Sequence, residues 1–297
     1  MNGSGPQPAI GVVLIFLNAK PFLAEAIESV RAQSFEDWEL VLVDDGSTDG
    51  STVVAKDYAE RFAPKIRYVE HDGHRNLGMS ASRNRGARET GAPFLAFIDA
   101  DDVWMPAKLA EQMEILAAHP QAALVLGALL YWQSWQKGAS RKSDRLLLTA
   151  GAAGRQLSPP RAFLAADPVG LYPGAGVDFL ARRAAFDDVG GFEDHFRGLY
   201  EDQAFFAKIF LAATVFISGK SWLKYRQHPH SCMSVAAGDG TSGRERERYF
   251  DWLTRYAEGR HASAGILRAL ERARRPTVMR RVGCRLAKAV SRRRIPH

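Results

Sequence analysis

The chain has 297 residues, 46% of them hydrophobic and 25% charged, a globular balance with length enough for one large α/β domain or a domain with an appendage. Two cysteines, Cys232 and Cys284, stand far apart without CxxC spacing, which argues against a disulfide scaffold and a cysteine zinc site and makes a reducing compartment the expectation. The net charge of +7 is unevenly spread: from Arg244 onward 16 Lys and Arg face 5 Asp and Glu, whereas the preceding residues carry 24 against 28. A mildly acidic body thus precedes a basic tail, a distribution suited to phosphates of lipid or nucleic acid.

Residues 1–9 are polar and rich in Gly and Pro and read as a flexible end without a signal-peptide pattern. Val12 to Leu17 is a first strand, and Pro21 suits the opening turn of a helix in which Phe22, Leu23, Ala26, Ile27 and Val30 share one face up to about Gln33. Leu40 to Val43 is a second strand. Gly46-Ser47-Thr48-Asp49 then supplies turn and N-cap chemistry for a helix through about Phe62. Ile66 to Val69 forms a third strand, Ser80 to Glu89 a helix stopped at Gly91, and Phe94 to Ile98 the next strand. Such alternation predicts a doubly wound α/β fold.

Beyond Asp102 the spacing predicts a helix from about Pro106 to Ala118 and a strand at Ala122 to Leu126. The Gly-, Ser- and Pro-rich stretch from Lys137 to Pro160 reads as a long surface excursion, a lid or a disordered loop. Phe179 to Phe192 is expected as strand, helix and turn, and Asp202 to Ala212 as a helix rich in Phe. The longest nearly uncharged apolar stretch, Ala122 to Trp132, is shorter than the roughly 20 residues that a membrane span needs. In the tail, Val278, Val282, Leu286, Ala289 and Val290 fall on one helical face ringed by Arg and Lys. A helix of this kind can lie in an anionic membrane interface or pack on the body with its arginines in water. Nucleic acid is not an expected partner, because the tail lacks interleaved aromatics and no binding module is visible.

Two apolar runs end in acid: Leu40 to Val43 runs into Asp44-Asp45, and Phe94 to Ile98 into Asp99-Ala100-Asp101-Asp102. Ligands of open α/β sheets sit beyond the carboxyl ends of the strands, so both clusters are expected in one crevice. Carboxylates gathered there repel one another and lose hydration, a cost that a divalent cation or a donor-rich ligand offsets.

Together these segments, with Glu25 to Val30, Gln33-Ser34-Phe35, Gly190-Gly191-Phe192-Glu193 and Tyr200-Glu201-Asp202, resemble the family 2 glycosyltransferases of the GT-A fold from about Gly11 to His230. The resemblance implies an α/β, GT-A type doubly wound mixed sheet flanked by helices, with a basic helical C-terminal extension. It divides the chain into a domain over 10–235, with a nucleotide-sugar half (10–104) and an acceptor half (105–235), and a tail over 244–297. It implies inverting transfer of a sugar from a nucleoside diphosphate sugar, UDP-sugar favoured, to a glycan or lipid-linked glycan, at the cytoplasmic face of a membrane in cell-envelope or exopolysaccharide synthesis.

By position, Asp45 would accept a hydrogen bond from the base with Asp44 beside it, and Asp99 would contact the ribose. Asp101, with Asp102 and His228 of the Tyr225-Arg226-Gln227-His228 element, would hold Mg²⁺ or Mn²⁺. Asp202 would be the general base. Where the family carries Pro-x-Tyr-Asn after its first strand, this chain has Ile15-Phe16-Leu17-Asn18, so Ile15 and Asn18 mark contacts near the base that differ. Simpler readings stand beside these: Gly46, Ser47 and Asp49 as turn and cap, Glu201-Asp202 as acidic residues opening a helix, and Trp104 as a core ring rather than a sugar-stacking one. Two other functions remain open, a nucleotidyltransferase and a non-catalytic nucleotide-sugar binding module. Asn18-Ala19-Lys20-Pro21 is a poor triphosphate loop for the first of these.

Overall fold

A computed structural model describes residues 7–136, 138–147, 153–166, 177–232, 234–235 and 242–274. Its first half alternates as the periodicity predicts: β1 (Ile10–Phe16), α1 (Lys20–Arg31), β2 (Trp38–Asp44), α2 (Ser51–Arg61), β3 (Ile66–Glu70), α3 (Met79–Glu89) and β4 (Phe94–Asp99). These strands read as unbroken apolar runs because both faces of the sheet are covered. Val13, Ile15, Val41, Val43, Leu95 and Phe97 enter one core cluster, while Val12, Leu14, Leu40, Leu42, Ala96 and Ile98 enter the other. Helix α3 lies so close on the sheet that a Cβ at Gly86 would stand 2.3 Å from Val13 Cγ1, which leaves room for glycine alone.

The second half comprises β5 (Val103–Trp104), α4 (Lys108–Ala118), β6 (Leu124–Leu126), β7 (Leu129–Trp132), β8 (Arg145–Leu147), β9 (Arg155–Leu157), α5 (Arg161–Ala166), β10 (Phe179–Arg182), α6 (Arg183–Asp188), α7 (Glu201–Ala212), β11 (Val215–Ile217) and β12 (Leu223–Arg226). The large sheet has eight strands in the order β3-β2-β1-β4-β10-β6-β11-β9, and a smaller sheet pairs β5-β12-β7-β8. Strands β1 to β4 run parallel and β10 runs against β4 and β6, giving a mixed sheet. Register carries the two acidic clusters to one edge: Phe16 is level with Asp44, and Ile15 with Asp99, so the end of β1 lies between them.

Two expectations need correction. The stretch 137–160 is not wholly an excursion, since β8 pairs with β7 and β9 forms the edge of the large sheet beside β11. These strands are three residues long and begin on exposed arginines, too short for an alternating pattern to stand out. The strand expected at Ala122 to Leu126 is shorter, Leu124–Leu126, and a second strand that the sequence reading did not mark, β7, follows it in the other sheet. They part at Gly127, where a Cβ would lie 2.2 Å from Asp178 Oδ2.

Among the described residues after β12, the chain forms the helices Ser242–Gly259 and Ala264–Arg274. Tyr249, Phe250, Leu253, Ile266 and Leu270 bury themselves in the same cluster as Phe196, Phe206 and Phe210, so this part of the basic tail completes the core. The amphipathic segment from Val278 to Val290 lies outside the described residues. Among the described residues no helix is long and apolar enough to cross a membrane.

Candidate active site

On the β2 side, the chain leaving β1 turns through Asn18, whose φ of 51° is left-handed, a conformation that asparagine tolerates. The Asn18 amide donates to Ser47 Oγ (3.0 Å), while Asn18 Oδ1 accepts from the Thr48 amide (2.7 Å). Asp49, one residue before the αL N-cap Gly50, accepts from the Ser51 and Lys20 amides, and Ser51 Oγ accepts from the Ala19 amide. Turn and cap chemistry here therefore also binds the β1 exit to the start of α2.

Asp44 is fully buried. Its Oδ1 accepts from the Ser47 amide at 2.8 Å, and its Oδ2 from the Thr52 hydroxyl at 2.5 Å and the Tyr68 hydroxyl at 3.3 Å. Asp45 accepts from the amides of Leu77 (2.7 Å) and Gly78 (3.0 Å), which fastens the loop before α3, and His71 Nε2 lies 3.6 Å away. Ile15 is buried in the core beneath this loop. Among the described residues, ligand atoms of Asp44, Glu70 and His74 gather within 4.8 Å of one another. Protein groups already satisfy them: the Tyr68 hydroxyl donates to Glu70 at 2.6 Å, and the His74 ring spans Glu70 (2.8 Å) and the Ser47 carbonyl (2.8 Å).

At the β4 end, three carboxylates follow one another. Asp102 Oδ1 accepts from the Arg226 amide (3.0 Å), and the Arg226 guanidinium donates to the Asp101 carbonyl (2.7 Å) and to Glu25 (2.5 Å). That guanidinium stands over the rings of Phe22, Trp132 and Trp135 at 4.5 to 4.9 Å from their centroids. Arg226 is therefore a hub joining α1, β7 and β12 to the acidic turn, not a solvated cation.

Asp101 Oδ2 meets His228 Nε2 at 2.9 Å. Two polar atoms here, Asp102 Oδ2 and His228 Nδ1, are buried with no partner among the described residues. Burial, and then the neighbouring charges of Asp101 and Asp99, push the Asp102 carboxyl well above the usual range. Carboxylate and imidazole donors beside an unsatisfied buried oxygen form a set that fits a divalent cation such as Mn²⁺.

Across the crevice, α7 opens on Glu201 and Asp202. Arg83 of α3, only 1% exposed, bridges the two walls: Nη2 donates to Asp99 (2.7 Å) and Nη1 to Glu201 (2.6 Å). The Asp202 amide donates to Glu201, and Asp202 Oδ1 accepts from the Gln203 amide at 2.7 Å. Burial raises the Asp202 carboxyl well above its ordinary range, the Glu201 charge adds to the rise, and Arg83 opposes it. Asp99, Asp101, Asp102, His228 and Asp202 thus share one connected region, whereas Asp44 lies level with the last residue of β1 and Asp45 and Asn18 follow the ends of their strands.

Several residues escaped sequence reasoning. Arg83 looked like one basic residue among several in an ordinary helix, and only its lack of any place on a solvent face could have singled it out. Lys108 and Asp178 form an ion pair at 2.6 Å with neither side chain exposed, and Gln112 and the Trp222 amide complete its bonding. Trp104 is 2% exposed within the core and does not face a sugar. Tyr131 and Tyr225, level in register on β7 and β12, meet with their rings tilted by 43° at a centroid distance of 5.3 Å. Of the segment from Pro168, residues 168–176 lie outside the described ones.

Comparison with known proteins gives the site its context. The model of the family described as glycosyl transferase family 2 matches residues 11–189, more than half of the chain. The chain belongs to that family. Among family relatives, EpsE of Bacillus subtilis (strain 168), a candidate glycosyltransferase by name, is 34% identical over 137 residues, covering 46% of this chain and 48% of EpsE. The match therefore spans about half the length of that relative. Among solved structures, S. aureus TarS 1-349 in complex with UDP-GlcNAc superposes with a TM-score of 0.63 at 18% identity, over 83% of this chain and 64% of that one. The mannosyltransferase PcManGT from Pyrobaculum calidifontis, in complex with GDP-Man and Mn²⁺, gives 0.51 at 20% identity, over 74% of this chain and 56% of that one. These structures share the GT-A fold, the mixed sheet with flanking helices described above.

Proposed function

We propose that this family 2 protein transfers a sugar, with inversion, from a nucleoside diphosphate sugar to an acceptor hydroxyl. The observation that carries the reading is the bridge from Asp99 through Arg83 to Glu201, which places the acidic end of β4 and the start of α7 in one crevice. Asp202 takes the proton of the acceptor hydroxyl as that oxygen bonds to the anomeric carbon and the bond to the diphosphate breaks; one displacement inverts the centre. A carboxyl held above its usual range by burial suits such a base, because its proton affinity lies nearer neutrality.

Asp101, Asp102 and His228 would hold Mg²⁺ or Mn²⁺, and the cation supplies charge stabilisation to the departing diphosphate. Asp99 faces the ribose and Asp45 with Asn18 the nucleoside, while Asp44 and Ile15, buried and turned into the protein, support that wall from within. The UDP-GlcNAc bound by TarS and the GDP-Man and Mn²⁺ bound by PcManGT support this class of donor. The basic tail, with eight Lys and Arg and no acid from Arg275 to the end, supports a glycan or lipid-linked acceptor at the cytoplasmic face of a membrane, in envelope or exopolysaccharide synthesis. The test is a thermal-shift panel of UDP-, GDP- and dTDP-sugars with and without Mn²⁺, in which one donor should raise the melting temperature only with the metal. No metal-dependent shift with any donor would contradict the reading.

A further inference from the structure

A guanidinium with its side chain removed from water is a costly way to fill space between a helix and a sheet, and an apolar residue of similar volume would pack there at least as well. Arg83 is such a side chain. Its two terminal nitrogens do not pair with neighbours on α3 but reach Asp99 at the end of β4 and Glu201 at the start of α7, 16 and 118 residues away in sequence. Its face also lies 5.2 Å from the ring centroid of Phe192, which walls the guanidinium on that side. The fork is planar, so two bonds made by one guanidinium fix the separation of the two carboxylates.

We infer that Arg83 is a positioning residue: it braces Glu201 against the end of β4, and its charge offsets Glu201 so that the adjoining Asp202 can stand ionised and accept a proton. The inference rests on the reading of Asp202 as the base. The groups facing Asp202 make the balance explicit. Glu201 on the same helix disfavours its ionised form and Arg83 of α3 favours it, while Tyr131 of β7 and Cys232 after β12 are neutral groups that its charge reaches. Asp99 of β4 is held by Arg83 itself. Among the groups acting on Asp202, Arg83 is the cation that offsets part of the effect of burial and Glu201.

The experiment titrates the Asp202 carboxyl in the full chain by ¹³C NMR of carboxyl-labelled aspartate, the resonance being assigned by its loss in Asp202→Asn. In Arg83→Gln the proton affinity of Asp202 should rise about tenfold or more, as removal of an adjacent opposite charge demands. In Arg83→Lys, which keeps the charge but not the fork, the midpoint should stay near that of the wild type. A folded Arg83→Gln with an unmoved midpoint would overturn the inference and leave Arg83 a packing residue. If Arg83→Gln does not fold, Arg83→Lys decides: a midpoint raised about tenfold despite the retained charge refutes the role given to that charge. Failure of the base assignment is separate: it appears as unchanged donor turnover in Asp202→Asn, whatever the titration of Arg83→Gln shows.

Discussion

Lys108→Met tests how strongly the second half of the fold depends on one buried charge pair. Lys108 Nζ lies 2.6 Å from Asp178 Oδ1, both side chains are 0% exposed, and burial lowers the proton affinity of the lysine while Asp178 beside it opposes that fall. The pair ties α4 to the residue preceding β10. Through the Trp222 amide it also holds the strand that carries Arg226. Methionine fills the same space but leaves a buried carboxylate with only the Trp222 amide at 2.9 Å and the Gln112 amide at 3.3 Å as donors. Removing one member of a buried pair typically costs about 3–5 kcal/mol. At roughly 2–4 °C per kcal/mol for a chain of this size, the melting temperature should fall by about 6–20 °C. The double variant Lys108→Met/Asp178→Leu, which removes both charges, should recover most of the loss, since apolar replacement of both partners is often neutral. Thermal melts and urea titrations of the four-member cycle measure this. A single variant within about 1 kcal/mol of wild type, or a double variant no better than the single, would refute the argument from uncompensated charge.

Further predictions follow from the packing and the ionisable groups. Gly86→Ala should destabilise by about 1–3 kcal/mol in urea titration, because its Cβ would meet Val13 at 2.3 Å and Val43 at 3.0 Å and force α3 off the sheet. Burial holds His71 below its ordinary pKa of 6.5, so the stability it contributes is present above that value and lost as the pH falls through it toward the folded-state pKa. His71→Gln should flatten the difference in melting temperature between pH 7.5 and pH 5.5, and an unchanged slope would show that His71 does not titrate with folding. Asp101→Ala should abolish the Mn²⁺-dependent part of any donor-induced thermal shift while leaving the metal-free melting temperature within a few degrees of wild type. Retention of the metal effect would move the cation elsewhere, with Asp44, Glu70 and His74 the next group to test.

The first half of the sheet was legible because β1, β2 and β4 are buried on both faces, and the apolar runs of β2 and β4 end in the two acidic clusters. The acceptor-side half was less so: β5, β7, β11 and β12 are two to four residues long, and their pairing is set by distant partners such as Tyr131 opposite Tyr225. Aspartates gather visibly in sequence, so Asp99 to Asp102 could be marked in advance. Arg83 and Lys108 could not, since a lysine or arginine in a helix looks solvated until partners on other elements arrive, Glu201 from 118 residues away and Asp178 from 70. Adjacent aspartates do not reveal where each carboxylate points, which hid the orientation of Asp44, whose oxygens turn to Ser47, Thr52 and Tyr68.

The proposed transfer requires Asp202 to receive the acceptor's proton. The direct measurement compares wild type and Asp202→Asn for binding and for turnover of the donor that gives the largest thermal shift. Binding should be kept, with an unchanged metal-dependent shift, while release of nucleoside diphosphate falls by about 10²–10⁴-fold, the usual contribution of a general base. Turnover within a few-fold of wild type, with donor still bound, would contradict the account.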